Sequence, residues 1–218
     1  MTRLVSRPWG IVAGFAVLVC LLYAGKAYHV DEPYYLAIAE QIRRDSLHPF
    51  SFVYNWYGFS APMWVFIAFP TIFPYLLALV VRLTGGVEWL TRLAFLPCDV
   101  MAAWALYALA ARFVRRPLGP TLIILAGPAY LINMQLLLPD KMIAAFGLAG
   151  LACFLRALDE GRSAWSILAG LLIASALLCK FTAIFVLLLA LAAAWRRKSW
   201  RWLASLGWNR TNVLNPIW

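Results

Sequence analysis

Between Trp9 and Trp195 the chain runs, again and again, for close to twenty residues with almost no charge. A helix rises about 1.5 Å per residue, so about 20 apolar residues are needed to cross a hydrocarbon core about 30 Å thick. Six segments are read as spans on that measure: Trp9 to Tyr28, Leu90 to Val114, Leu118 to Leu138, Met142 to Leu158, and the shorter Trp165 to Leu178 and Phe181 to Trp195, which only Cys179 and Lys180 separate. A soluble domain cannot hide them. Hydrophobic residues make up 64% of the chain and charged ones 13%, against about 45–50% and 25% in soluble domains. Disorder, nucleic-acid wrapping and a soluble α/β enzyme are excluded together. The expected fold is an all-α polytopic membrane bundle of about six transmembrane helices.

A seventh stretch, Ala61 to Leu83, is as apolar but carries Pro62, Pro70 and Pro74, and each interior proline removes a hydrogen bond and clashes with the preceding turn. It reads as a span or as a broken interfacial segment, and charge chooses between the two. If it does not cross and the N-terminus is inside, twelve of the nineteen basic residues lie inside, among them Arg112, Arg115, Arg116, Arg156 and Arg162. If it crosses, only six do. Basic residues concentrate in cytoplasmic loops, so the first arrangement is favoured. The net charge of +10 is thus read as topology before binding. It leaves Asp31, Glu32, Glu40, Asp45, Glu88 and Asp140 outside and Asp99 within a span. A signal peptide cut near Gly25-Lys26-Ala27 is the competing reading of the first segment, but its apolar run exceeds the usual 7–15 residues and five spans follow.

The organisation is one bundle, residues 1–201, with one long outer loop, 29–89, and an irregular tail, 202–218. The loop opens with His29-Val30-Asp31-Glu32-Pro33-Tyr34-Tyr35. Proline after acidic residues is a helix-start signal, and Tyr35, Ile38, Ala39 and Ile42 then recur on one face. This predicts an amphipathic juxtamembrane helix, Pro33 to Arg44, with two carboxylates at its N-terminus. One reading makes them a general base or metal ligands; the other, favoured by pattern alone, makes them helix caps. Asp99 inside a span needs a partner or a cavity. Arg92 lies two helical turns earlier on the same face, so pairing between them, or from either to another helix, is expected. Asp140 and Lys180 end spans on the same outer side as Asp31 and Glu32.

Other chemistries find little support. Cys20, Cys98, Cys153 and Cys179 form no C-x-x-C pair, so no zinc site or disulfide framework is indicated. His29 and His48 lack the spacing of a zinc site. No dinucleotide fingerprint, P-loop or nucleophile elbow occurs, and the Asn209-Arg210-Thr211 sequon falls on the inner side.

The ordered set of features resembles the GT-C glycosyltransferases that use polyprenyl-phosphate sugars, of the protein mannosyltransferase and aminoarabinose transferase type. The resemblance rests on Asp31-Glu32 after the first span, Tyr34-Tyr35, Ala61-Pro62, Glu88-Trp89-Leu90-Thr91-Arg92-Leu93, the Arg-rich turn Arg112 to Arg116, the lone Asp140, and Cys179-Lys180-Phe181-Thr182. It implies inverting transfer of a sugar from a polyprenyl-phosphate donor to an acceptor lipid, glycan or protein on the periplasmic face of a bacterial plasma membrane. Asp31 is then the general base, Glu32 orients the acceptor, and Lys180, with Asp140 and Arg92, holds the donor phosphate. No cofactor is implied beyond a possible divalent cation at Asp140, and no nucleic acid. The family continues through further spans, so this chain reads as an N-terminal half. Two rivals stand beside this reading: an ion-coupled carrier using Asp31, Asp99, Asp140 and Lys180 as relay groups, and a structural subunit or inactive fragment.

Overall fold

The computed structural model describes residues 6–205 except 30, 57 and 67–71, and the side chains of 8–197 among them. The sequon at Asn209, Pro70 and most of the tail lie outside the described residues. The chain is mostly helical. Helix α1 (Ser6–Tyr23) leads to α2 (Glu32–Arg44). A two-stranded antiparallel hairpin follows, β1 (Val53–Trp56) and β2 (Phe59–Pro62), with Val53 opposite Pro62 and Trp56 opposite Phe59. Gly58 turns it at φ +83°, a conformation that glycine adopts without steric cost. Next come α3 (Met63–Phe66), α4 (Ile72–Thr84), α5 (Glu88–Leu93) and α6 (Leu96–Ala110). The remainder is α7 (Leu118–Leu125), α8 (Pro128–Gln135), α9 (Pro139–Glu160), α10 (Ser163–Leu177), a 3-10 turn (Phe181–Ala183) and α11 (Ile184–Ser205).

By length and composition, two stretches among the described residues qualify as membrane spans, Glu88–Ala110 and Pro139–Glu160; Pro8–Tyr23, Ile72–Thr84 and Ser163–Leu177 are shorter apolar helices. The continuous span expected over 118–138 is not present. It is two eight-residue helices that break at Gly127-Pro128, because Pro128 has no N–H to give to the turn before it. Gly127 follows suit with an extended backbone, φ −68° and ψ 145°. A turn at Ala94-Phe95 separates α5 from α6, but Ala94 keeps helical dihedrals, φ −62° and ψ −22°, so Glu88–Ala110 runs on as one apolar stretch.

Helix α9 packs on α6, α10 and α11, while α1 lies against α6. Its glycines allow this. A Cβ at Gly150 would stand 2.8 Å from Ile173 of α10, and one at Gly147 would stand 2.9 Å from Val186 of α11. Small residues at such positions let helices approach where lipid supplies no hydrophobic drive between them. The opposite faces of α10 and α11 leave Ile167, Leu171, Phe185 and Leu189 more than half exposed, a patch that suits lipid rather than water. Helix α2 buries the face expected of it, with Tyr34, Tyr35, Ile38, Ala39 and Ile42 all inside. Its cover is α4, together with a core containing Phe73, Leu77, Phe95, Leu137, Met142 and Cys179.

Candidate active site

Three ion pairs meet on one short stretch of chain, Gln135 to Lys141, which joins α8 to α9. The first is Glu32 with Arg92. Glu32 is fully buried and Arg92 is 2% exposed. The guanidinium donates to both carboxylate oxygens, at 2.8 Å and 3.0 Å, the forked geometry in which such pairs are strongest. Glu32 also accepts from the backbone N–H of Leu137 at 2.7 Å and of His29 at 2.9 Å, with His29 Nδ1 at 3.2 Å. Arg92 donates further to the carbonyls of Lys26, Ala27 and Gln135. Lys26 Nζ closes the network on Gln135 Oε1 at 2.7 Å. Burial by itself would raise the Glu32 carboxyl. Arg92 and the Leu137 and His29 N–H groups outweigh it and hold the carboxyl below its ordinary value.

The second pair is Asp140 with Lys180, at 3.0 Å and 3.2 Å, and about a quarter to a third of each side chain is exposed. Asp140 stands in the first turn of α9, and Lys180 precedes the 3-10 turn. The third pair is Lys141 with Asp99, at 3.1 Å and 3.2 Å, with both side chains 3% exposed.

Asp31 is the one acidic group of the expected set whose carboxylate is not spent in an ion pair among the described residues. It occupies the N-cap position of α2, yet its backbone is helical, φ −88° and ψ −5°, and its side chain makes no capping hydrogen bond. The capping reading therefore fails on geometry: a capping side chain needs an extended backbone to reach the N–H groups of the first turn. The charges of Asp31 and of Asp140, in the second pair, both reach Tyr35. The phenol of Tyr35 is pushed up by burial first, and then by the charges of Asp140 and Asp31. Tyr35 packs in the same core as Met142 and Cys179, the near neighbours of Asp140 and Lys180.

Several expectations are corrected by this arrangement. Of the two pairings open to Arg92 and Asp99, with each other or with another helix, the second is found, Arg92 with Glu32 of α2 and Asp99 with Lys141 of α9. Arg92 is also not placed to meet a donor phosphate, since its donors are spent on Glu32 and three carbonyls. Glu32, with both oxygens occupied and no exposed surface, is not placed to touch an acceptor. Asp140 and Lys180 do come together. Sequence reading missed Lys26, Gln135 and Lys141, of which only Lys141 carried a signal, as a second charge beside Asp140. Among the described residues no three His, Cys, Asp or Glu side chains gather as metal ligands; His29 faces Glu32 instead.

The model of the dolichyl-phosphate-mannose-protein mannosyltransferase family matches residues 69–209. That stretch holds Arg92, Asp99, Asp140, Lys141 and Lys180 and leaves Asp31 and Glu32 before it. No curated protein and no solved structure matches the chain. The match runs over well more than half of the sequence and takes in the whole helical region around α9, so the chain belongs to the dolichyl-phosphate-mannose-protein mannosyltransferase family of GT-C type membrane glycosyltransferases.

Proposed function

We propose that this chain carries the site at which a sugar passes from a polyprenyl-phosphate carrier to an acceptor hydroxyl or amine on the outer, periplasmic face of a bacterial plasma membrane. The observation that carries the proposal is the uncommitted Asp31 carboxylate within electrostatic reach of the same ring as Asp140, the partner of Lys180. In the reaction the acceptor oxygen or nitrogen attacks the anomeric carbon from the face opposite the phosphate. The new bond forms as the sugar–phosphate bond breaks, which inverts the centre. Asp31 takes the acceptor's proton, as a general base. The polyprenyl phosphate leaves with the negative charge, and Lys180 exchanges its contact with Asp140 for that phosphate. A fixed cation facing a charge that grows in the transition state lowers the barrier without reorganising water. Asp140 holds Lys180 in place until the donor arrives. Glu32 and Arg92 hold the start of α2, and with it Asp31, against Leu137.

The six-span topology belongs to the same proposal, with residues 1–201 as one transmembrane unit. Helix α4 packs on α2, and the stretch that contains it is taken to lie with α2 along the outer surface, because the later loops then keep the orientation their basic residues favour. A phosphatase reporter that is active only outside the cytoplasm should be silent when fused after Arg116 and active after Asp140. The reverse pattern would overturn the topology and the outer site with it.

The donor end is tested by binding. Lys180→Ala should weaken binding of citronellyl phosphate, a short isoprenoid monophosphate, by about ten- to a hundredfold, the worth of one hydrogen bond to a charged group. Lys180→Arg should keep part of it, since the charge stays while the geometry changes. Equal binding by Lys180→Ala and the native chain removes Lys180 from the donor site.

A further inference from the structure

Asp99 and Lys141 form a buried ion pair that the transfer chemistry does not use. We infer that they are positioning residues for the donor end: their pair fixes the rotation of α9 about its axis so that Asp140 meets Lys180. The inference rests on the proposed role of Lys180 and Asp140 for its consequence in catalysis, though not for its geometry.

Asp140 and Lys141 are consecutive in the first turn of α9, and consecutive side chains leave a helix about 100° apart. They therefore cannot serve one neighbour. Asp140 turns to Lys180, at the junction after α10, at 3.0 Å. Lys141 turns to Asp99 of α6 at 3.1 Å. The buried Lys141–Asp99 contact sets the roll of α9, and the more exposed Asp140–Lys180 contact, at a different azimuth, is made only at that roll. The second anchor is itself held, since Tyr130 of α8 donates to the backbone carbonyl of Asp99 at 3.4 Å.

Burying two charges is costly, and replacement by apolar residues of similar size is often neutral for stability. A directed pair does differ from an apolar one in fixing orientation. That difference is measurable in the full chain held in lipid nanodiscs. With the four native cysteines replaced by alanine, cysteines introduced as Asp140→Cys and Lys180→Cys should cross-link rapidly through a short bismaleimide. Adding Asp99→Leu and Lys141→Met should slow this cross-link by about tenfold or more, because misplacement by about 1 Å is enough to disturb a tightly fixed geometry. The melting temperature should be kept. Asp99→Lys with Lys141→Asp, which reverses the pair, should restore the native rate. An unchanged rate in the apolar variant overturns the inference, as does a folded reversed pair that cross-links slowly. Should the apolar variant not fold, the reversed pair alone decides. Citronellyl phosphate binding, measured with residues 140 and 180 native, should fall with the cross-link rate. If the cross-link responds and Lys180→Ala still binds the phosphate normally, the positioning stands and the donor reading fails.

Discussion

Asp31→Asn should abolish sugar transfer while leaving the fold and its melting temperature unchanged. General-base catalysis contributes about 10²–10⁴ in rate, and the amide cannot take a proton at neutral pH. The side chain makes no capping hydrogen bond in α2, so the loss of about 0.5–2 kcal/mol that follows removal of a cap should be absent even in Asp31→Ala. Transfer of a radiolabelled sugar from its polyprenyl phosphate, measured beside thermal unfolding, separates the two roles. Normal transfer by Asp31→Asn would overturn the assignment, and equal loss of stability in the asparagine and alanine variants would make the residue structural.

Arg92→Met should be the most destabilising single change in the outer region. It strands Glu32, which has no exposed surface, and breaking a buried pair by removing one partner costs about 3–5 kcal/mol. Glu32→Leu combined with Arg92→Met removes both charges and should recover part of that loss, the backbone groups that the pair served staying unpaired, while transfer stays low, because Asp31 is no longer held in place. The same pair gives stability a pH dependence. The folded carboxyl of Glu32 lies below its ordinary 4.5. Its contribution is therefore complete above 4.5 and is lost as pH falls through the lowered value. The native chain should show an acid transition below pH 4.5 that the apolar double variant lacks. A transition common to both would assign it to other groups.

What could be read in advance followed the range of the forces involved. The α2 face was legible because Tyr35, Ile38, Ala39 and Ile42 repeat at helical spacing, and burial of that stripe against α4 follows from local periodicity. Asp140 and Lys180 were legible as two span ends on one side. The hairpin was not: its strands have four residues each, too few for alternation to stand out from a loop. The break at Gly127-Pro128 was printed in the sequence, but an apolar run long enough to span averages over its own breakers. The Glu32–Arg92 pair joins positions 60 residues apart, and nothing in a single chain marks which distant charge a carboxylate will meet. The i, i+7 relation of Arg92 and Asp99 left two outcomes open, and nothing in the sequence chose the one found, in which each meets a charge on another helix.

The way Gln135 and Leu137 take part carries a consequence for how this region can vary. Glu32 is held by the main-chain N–H of Leu137 and Arg92 by the main-chain carbonyl of Gln135, groups that almost every amino acid supplies. Apart from the bond from Lys26 Nζ to the Gln135 side chain, substitutions at these two positions therefore leave the contacts of Glu32 and Arg92 in place. Insertion or deletion of one residue does not. It would lengthen or shorten an extended linker, built of Leu136 and Leu138 in β dihedrals, by about 3.3–3.6 Å, so that Asp140, Lys141 and the Glu32 contact could no longer all be met. Between α8 and α9 the chain is constrained in length far more than in spelling.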